Sequence, residues 1–259
     1  MHGTGHWLTA VLGAAAVAVS GRADPPTNSA WRLTFDDEFE QAQLDADKWM
    51  VECDLPGHVQ SARHPENVVV ADGVCKLLNK KQDYRGRAWT GGHIWSKEFE
   101  QQAGYFEARI KIAAAGGLNN GFWLTPDGKP GTPGHFELDP AALYHPKNVE
   151  TYLCNRCDPF WTKGEKWEAP DDLSKEFHVY GMLWTETEIV WYFDGQEIRR
   201  AEQDNCRNPV RVRFSTAVTT YAGEPTDAIH DTFMALDYVR VFEPVEQVPR
   251  WPVVLQGVQ

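Results

Sequence analysis

GYFEARIKIA, residues 104–113, alternates at every step: Tyr105, Glu107, Arg109 and Lys111 on one side, Phe106, Ala108, Ile110 and Ile112 on the other. A period of two is the signature of a β-strand with two unlike faces. The same pattern extends outward in both directions. EIVWYFDGQEIRRA (188–201) reads as two strands around Asp194-Gly195, a dipeptide suited to the left-handed conformations of a tight hairpin. ENVVVADGVCKLLNKK (66–81) reads the same way about Asp72-Gly73. FHVYGMLW (177–184), VRVRFSTAV (210–218) and FMALDYVRVFEP (233–244) are further strand-like runs, while helical periodicity is hard to find beyond the N-terminus. Many strands punctuated by Gly, Pro and Asp-Gly predict an all-β sandwich or barrel.

Nothing repeats at a fixed period and no linker interrupts residues 31–245, so one domain is expected there. Residues 24–30 form a short Pro-Thr-Asn-Ser leader, and residues 246–259 a Pro-containing tail with no assignment. From Leu8 to Val19 the chain is apolar and rich in small residues, then ends at Arg22, Asp24, Pro25 and Pro26. At about 12 residues this run is too short to span a bilayer as a helix and reads as a secretory signal over residues 1–23. Its flank departs from the usual pattern, with His2 and His6 in place of Lys or Arg. A secreted or periplasmic protein, monomeric and free of the membrane after signal removal, is the expectation.

The 259 residues are 42% hydrophobic, enough for a sizeable core, and 11 of them are Trp. Broad indole faces stack on flat apolar surfaces, including the CH faces of sugars. Formal net charge is −12, with 37 acidic against 25 basic residues, which argues against nucleic acid as a partner. It also favours a neutral polymer over an anionic one, unless a local basic cleft overrides the total. Five cysteines, Cys53, Cys75, Cys154, Cys157 and Cys206, leave at least one unpaired. Cys154-x-x-Cys157 has no second cluster to complete a zinc site and no strand-to-helix context for a redox pair, so a local disulfide or two ordinary thiols remain.

Several segments together resemble glycoside hydrolase family 16, which includes endo-β-1,3-glucanases, lichenases, agarases and carrageenases. LTFDDEFE (33–40) resembles its opening strand, TGGHIWSK (90–97) and GYFEARIKI (104–112) its paired strands before the cleft, and NGFWLTP (120–126) the strand carrying a cleft Trp. FHVYGMLWTETEIVWYFDGQEI (177–198) and MALDYVRVFEP (234–244) resemble its closing half. Their order over about 210 residues carries the likeness more than any one segment. The resemblance implies a two-sheet β-jelly roll, concanavalin A-like, with a concave groove for a β-linked polysaccharide or oligosaccharide, and no required cofactor.

GHFELDPAALYHP (134–146) falls where members carry E-x-D-x-x-E or E-x-D-x-E. By match Glu137 takes the nucleophile position and Asp139 that of the supporting Asp. A retaining glycosidase needs two carboxyl groups about 5–5.5 Å apart, one attacking carbon and one protonating the leaving oxygen. Here the acid/base position is empty in either register, holding Ala142 if the strand is bulged and Ala141 if it is not. Losing general acid catalysis typically costs about 10²–10⁴ in rate. If HPKN (145–148) is a tight turn, Leu143 pairs with Glu150, Ala141 with Tyr152 and Asp139 with Cys154. Glu150 then lies about 20 Å along the strand from Glu137, too far for the usual pair, and becomes a surrogate only if the register slips. His135 and His145 are more remote candidates. Where members read T-N-x-H, this chain reads Thr151-Tyr152-Leu153-Cys154.

The match makes Trp123 the cleft Trp, and alternation puts His93 and Trp95 on one face, with Trp89 nearby as a further substrate-binding candidate. Structural calcium, found in some members, would draw on Glu38, the Gly73 carbonyl and Asp237, fewer oxygens than the ion's usual six to eight. Three functions remain open: a retaining endo-hydrolase of β-glucans or galactans, weakened or inactive for want of its acid/base; a non-catalytic carbohydrate-binding protein; and a lectin-like adhesion domain. The particular polysaccharide is not fixed by the sequence.

Overall fold

A computed structural model of the chain describes residues 25–26, 30–203 and 205–245. The expected signal, most of the leader and the C-terminal tail lie outside the described residues. In chain order the strands are β1 (Trp31–Asp37), β2 (Trp49–Val51), β3 (Ser61–Arg63), β4 (Val68–Ala71), β5 (Val74–Tyr84) and β6 (Arg87–Gly91). Next come β7 (His93–Ser96), β8 (Gly104–Lys111), β9 (Leu118–Thr125), β10 (Phe136–Tyr144), β11 (Asn148–Asn155) and β12 (Trp161–Glu168). The last are β13 (His178–Trp184), β14 (Glu188–Phe193), β15 (Gln196–Glu202), β16 (Arg211–Val218) and β17 (Thr232–Pro244). Among the described residues the only helical segments are two 3₁₀ turns, at Pro65–Asn67 and Asp227–Ile229.

The strands form two sheets packed as a jelly-roll sandwich. The larger runs β15-β14-β13-β8-β17-β5-β6-β3, with β1 on β17 and β4 on β5; the smaller runs β12-β11-β10-β9-β16-β7-β2. All pairs are antiparallel except β3 with β6. The Asp-Gly turns form as expected, with positive φ at both residues: 58° and 74° at Asp72-Gly73, 46° and 80° at Asp194-Gly195. Strand β8 alternates as read, but its second face is also covered: Tyr105 packs near Trp31, Tyr192 and Phe242, and Glu107 is fully buried.

The core lies between the sheets. Phe106, Ile110, Met182, Trp184, Trp191, Val239 and Val241 of the larger sheet meet Phe122, Leu124, Leu138, Ala141, Leu143, Val149, Leu153 and Phe214 of the smaller. Removal from water is worth about 1.5–3 kcal/mol for each large apolar side chain. It therefore fixes which face of every smaller-sheet strand points inward, and by elimination which residues stand on the outer face.

Candidate functional site

Strand β10 carries the E-x-D motif, and its register decides what the third position is. Towards β11, Asp139 pairs with Tyr152 but Ala142 pairs with Glu150, so three steps on β10 oppose two on β11. Towards β9, the same irregularity falls between Leu138 and Ala141. This is a β-bulge, and Pro140 sits inside it. Proline has no N–H for a ladder bond, so bulges are among the few sheet positions it can occupy. The Asp139 carbonyl accepts a hydrogen bond from Trp191 Nε1 at 2.8 Å, reaching across the core from β14. The extra residue resolves the two registers. Phe136, Leu138, Ala141 and Leu143 belong to the core. Glu137, Asp139, Ala142 and Tyr144 take the outer face, so the empty acid/base position is Ala142.

The hairpin partner shows the same division. Val149 and Leu153 are core residues, leaving Glu150, Tyr152 and Cys154 on the outer face. The expected pairing of Leu143 with Glu150 is incorrect. Leu143 pairs with Val149, Ala142 with Glu150, Asp139 with Tyr152 and Glu137 with Cys154. The turn is one residue tighter than read, because Tyr144 pairs with Asn148, and the bulge moves the register by one more. Glu150 therefore stands beside the empty position instead of beyond it.

Arg156, just past β11, donates from Nη2 to Glu137 Oε1 at 2.6 Å. Asp139 is buried and its Oδ1 has no hydrogen-bond partner. Burial first, and then the Glu137 charge, raise its carboxyl well above the usual range, with Arg156 opposing. Asp139 is thus driven towards its protonated form, as burial beside a second carboxylate requires. Burial lowers both His58 and His135, aided at His58 by Arg63. Tyr152 donates its hydroxyl proton to Glu150 Oε2. Burial, then that bond, push the Tyr152 phenol upward. Cys154, where the resemblance leads one to expect a His, is buried and its thiol is raised by that burial. Cys154 and Cys157 are not bridged to each other, so the local-disulfide alternative does not hold.

The aromatic wall lies on β9, β16 and β7. Trp123 donates Nε1 to Ser215 Oγ at 3.0 Å, and its ring lies 5.4 Å from that of His93. Trp95 donates to Glu52 at 3.2 Å. Arg213 connects the wall, its guanidinium 5.3 Å from the Trp95 ring and 5.1 Å from the Trp123 ring, with Nε donating to Thr125 Oγ1 at 2.9 Å. Burial, then Arg63, push Arg213 down to about 10. His93 is fully buried, and neither ring nitrogen has a hydrogen-bond partner. Trp123, His93 and Trp95 are therefore neighbours, as alternation required.

Trp89 is not with them. It lies on β6 of the larger sheet and packs in a small separate cluster with Ala113, Ala115, Leu118, Val218 and Ile229. Nearness to His93 and Trp95 in sequence could not say which sheet Trp89 joins. The calcium set does not fit a hard cation either. Arg240 binds Glu38 through two bonds of 2.8 Å, and Arg109 takes Asp237 at 2.7 Å, so guanidinium groups already neutralise both carboxylates. Among the described residues no group of three or more His, Cys, Asp and Glu is arranged to hold a metal ion.

Arg156, Arg213, Arg63 and His58 were not read from sequence. Arg213 had a signal, since alternation in VRVRFSTAV places it opposite core residues Val212 and Phe214. Arg156 and His58 lie outside strands, where periodicity is silent. Arg156 is paired with Glu137 and Arg63 with Asp54, while Arg213 lies against the two indoles.

Comparison with known proteins places this geometry. The profile of the family described as "Glycosyl hydrolases family 16" matches residues 57–239. An endo-1,3-1,4-beta-glycanase, EglC, of Rhizobium meliloti is 32% identical over 184 residues, covering 67% of this chain but 39% of that relative. This chain thus spans about two fifths of that relative's length. A beta-glucanase of Rhodothermus marinus is 25% identical over 280 residues, covering 93% of this chain and 94% of the other. The structure of the laminarinase from Rhodothermus marinus superposes with a TM-score of 0.77 at 22% identity, over 85% of this chain and all of that one, a likeness that speaks for the fold alone.

Proposed function

The chain belongs to glycosyl hydrolase family 16, and from that premise we propose that it binds a β-linked polysaccharide along the outer face of its smaller sheet and cleaves it slowly, with retention, through Glu137. The observation that carries this reading is the placement of Glu137 and Asp139 on the outer face of β10 with Ala142 as the next residue along it. Glu137 supplies the attacking oxygen. Asp139 lies beside it, its carboxyl raised by burial. Trp123 and Trp95 offer flat faces against which a sugar can stack. What the strand lacks is a proton donor for the departing sugar hydroxyl, and its loss lowers the expected rate by about 10²–10⁴.

The substrate class follows from the names of the relatives, which are β-glucanases and endo-1,3-1,4-beta-glycanases. The apolar run from Leu8 to Val19 supports export. The guanidinium of Arg213, with no ion-pair partner among the described residues, makes net charge a poor guide to whether the polymer is neutral or acidic.

A second reading, a protein that holds the polymer without cutting it, is favoured by the Arg156 grip on Glu137 and by Cys154 in place of a polar cleft residue. One experiment separates the two. The purified chain and its Glu137→Gln variant are assayed on neutral and acidic β-glucans and galactans, by reducing-end release and by pull-down with insoluble polymer. Slow cleavage that disappears in Glu137→Gln is the expected result. Equal binding by both proteins with no new reducing ends from either would establish the binder.

A further inference from the structure

Glu150 stands on the outer face directly opposite Ala142, where the cleft lacks its acid. We propose that Glu150, from β11, is the general acid/base of this cleft, supplying from the neighbouring strand the carboxyl that β10 does not carry. The proposal rests on the reading of Glu137 as nucleophile.

Three features support it. Residues directly opposite in an antiparallel pair have Cβ atoms about 4.5–5.5 Å apart. Ala142 offers only a methyl group there, and that methyl is buried, so neighbouring side chains close over it. The second feature is contact. Tyr152 O–H donates to Glu150 Oε2, and Tyr152 pairs with Asp139, so one hydroxyl ties the Glu150 carboxyl to the residue beside Asp139. The third is distance. With one residue absorbed by the bulge, positions 137 and 142 are separated by about 13 Å of backbone. A start one strand to the side, about 4.8 Å, lengthens that separation by only about 1 Å. Two glutamate side chains must close nearly the same gap as if both rose from β10. Tyr152 itself is excluded as the donor because burial raises its phenol, which weakens it as an acid.

The step balances without any other reactant. A Glu137 oxygen attacks the anomeric carbon. The glycosidic C–O bond breaks, its electron pair passes to the leaving oxygen, and that oxygen takes the proton from Glu150. The products are a glycosyl ester on Glu137, a free sugar hydroxyl and a Glu150 carboxylate. In the second half Glu150 takes a proton from water, the water oxygen attacks the anomeric carbon, and Glu137 leaves as carboxylate.

The test compares the full chain with Glu150→Gln, Glu150→Ala and the double variant Ala142→Glu/Glu150→Gln. Each is assayed on β-glucan, whose leaving group needs a proton, and on a dinitrophenyl β-oligoglucoside, whose leaving group does not. A 2-fluoro dinitrophenyl glycoside reports ester formation at Glu137 by mass spectrometry. Glu150→Gln is expected to slow β-glucan cleavage by about 10²–10⁴ while labelling of Glu137 stays within a few-fold. Azide should restore turnover of the aryl substrate by Glu150→Ala, with β-glycosyl azide as product. The added Ala142→Glu change should restore β-glucan cleavage in the Gln background. A purely structural role would depress both substrates together. The proposal is overturned if the parent chain labels at Glu137 yet Glu150→Gln cleaves β-glucan at the parent rate, if both substrates fall alike, or if the parent labels but never cuts polymer. A parent chain that neither labels nor cuts removes the Glu137 reading and this one with it.

Discussion

At position 142 a methyl group occupies the place where the cleft chemistry asks for a carboxyl, and one residue earlier an identical methyl group fills the core. The two alanines look equivalent in the sequence and face opposite environments in the fold, so the same replacement should have opposite consequences. Ala142→Glu places a carboxyl on the outer face beside Glu150. It should raise β-glucan turnover, by up to about 10²–10⁴ if Glu150 contributes nothing and by less in proportion to what Glu150 already supplies. Ala141→Glu pushes an unpaired carboxylate among Leu138, Leu143 and Phe122, or forces it to bind a proton. It should cost roughly 3 kcal/mol or more, the scale of an uncompensated buried charge, and shift the urea midpoint accordingly. If Ala141→Glu were the stable and more active of the two, the bulge would be misplaced.

The element that creates this asymmetry is a bulge built on Pro140, and the strand that secures it belongs to the other sheet. Trp191 on β14 spends its indole N–H on the Asp139 carbonyl at 2.8 Å, deep in the core. Trp191→Phe keeps most of the ring and leaves that carbonyl unsatisfied. The expected cost is about 1–3 kcal/mol, read from urea denaturation, together with a fall in activity as the Glu137–Asp139 stretch loses its anchor. An unchanged midpoint would mean that the bulge is held by its own backbone pairing. This also explains how far the sequence could be read. Alternation in GYFEARIKIA and VRVRFSTAV and the two Asp-Gly turns were enough for strands, hairpins and an all-β sandwich, because strand period and turn chemistry are local. Register is not local. A one-residue error in the turn set Glu150 opposite Ala142 instead of Leu143, and one inserted residue at Pro140 put Ala142 on the outer face and one step nearer Glu137. Trp89 was named for its nearness in sequence, and its sheet depended on β6 pairing with β5 and β3.

Across the whole molecule, a chain of net charge −12 carries a cleft face gathered around Arg63, Arg156 and Arg213, with three histidines that burial holds towards their neutral form. His93 is the most constrained. Burial first, then Arg63 and Arg213, lower it well below its ordinary value, and neither ring nitrogen has a partner to offset the cost of a charge. In the unfolded chain the same imidazole titrates near 6.5. Below that pH the unfolded state therefore binds a proton that the folded state refuses, and stability falls as pH drops, by at most about 1.4 kcal/mol per pH unit for one group. Asp139 acts in the opposite sense. Its folded carboxyl keeps a proton that the unfolded chain releases near 3.9, so its contribution is present at low pH and is lost as pH rises through the folded value. The two act in opposite senses, and a stability curve of the parent chain alone cannot separate them. The difference between parent and His93→Phe can, because Asp139 is common to both. Urea midpoints across pH 5–7.5 should diverge only below about 6.5, with His93→Phe losing less stability on acidification. Parallel curves would mean that His93 binds its proton equally well in both states, which requires water or an acid to reach the ring beneath Trp123.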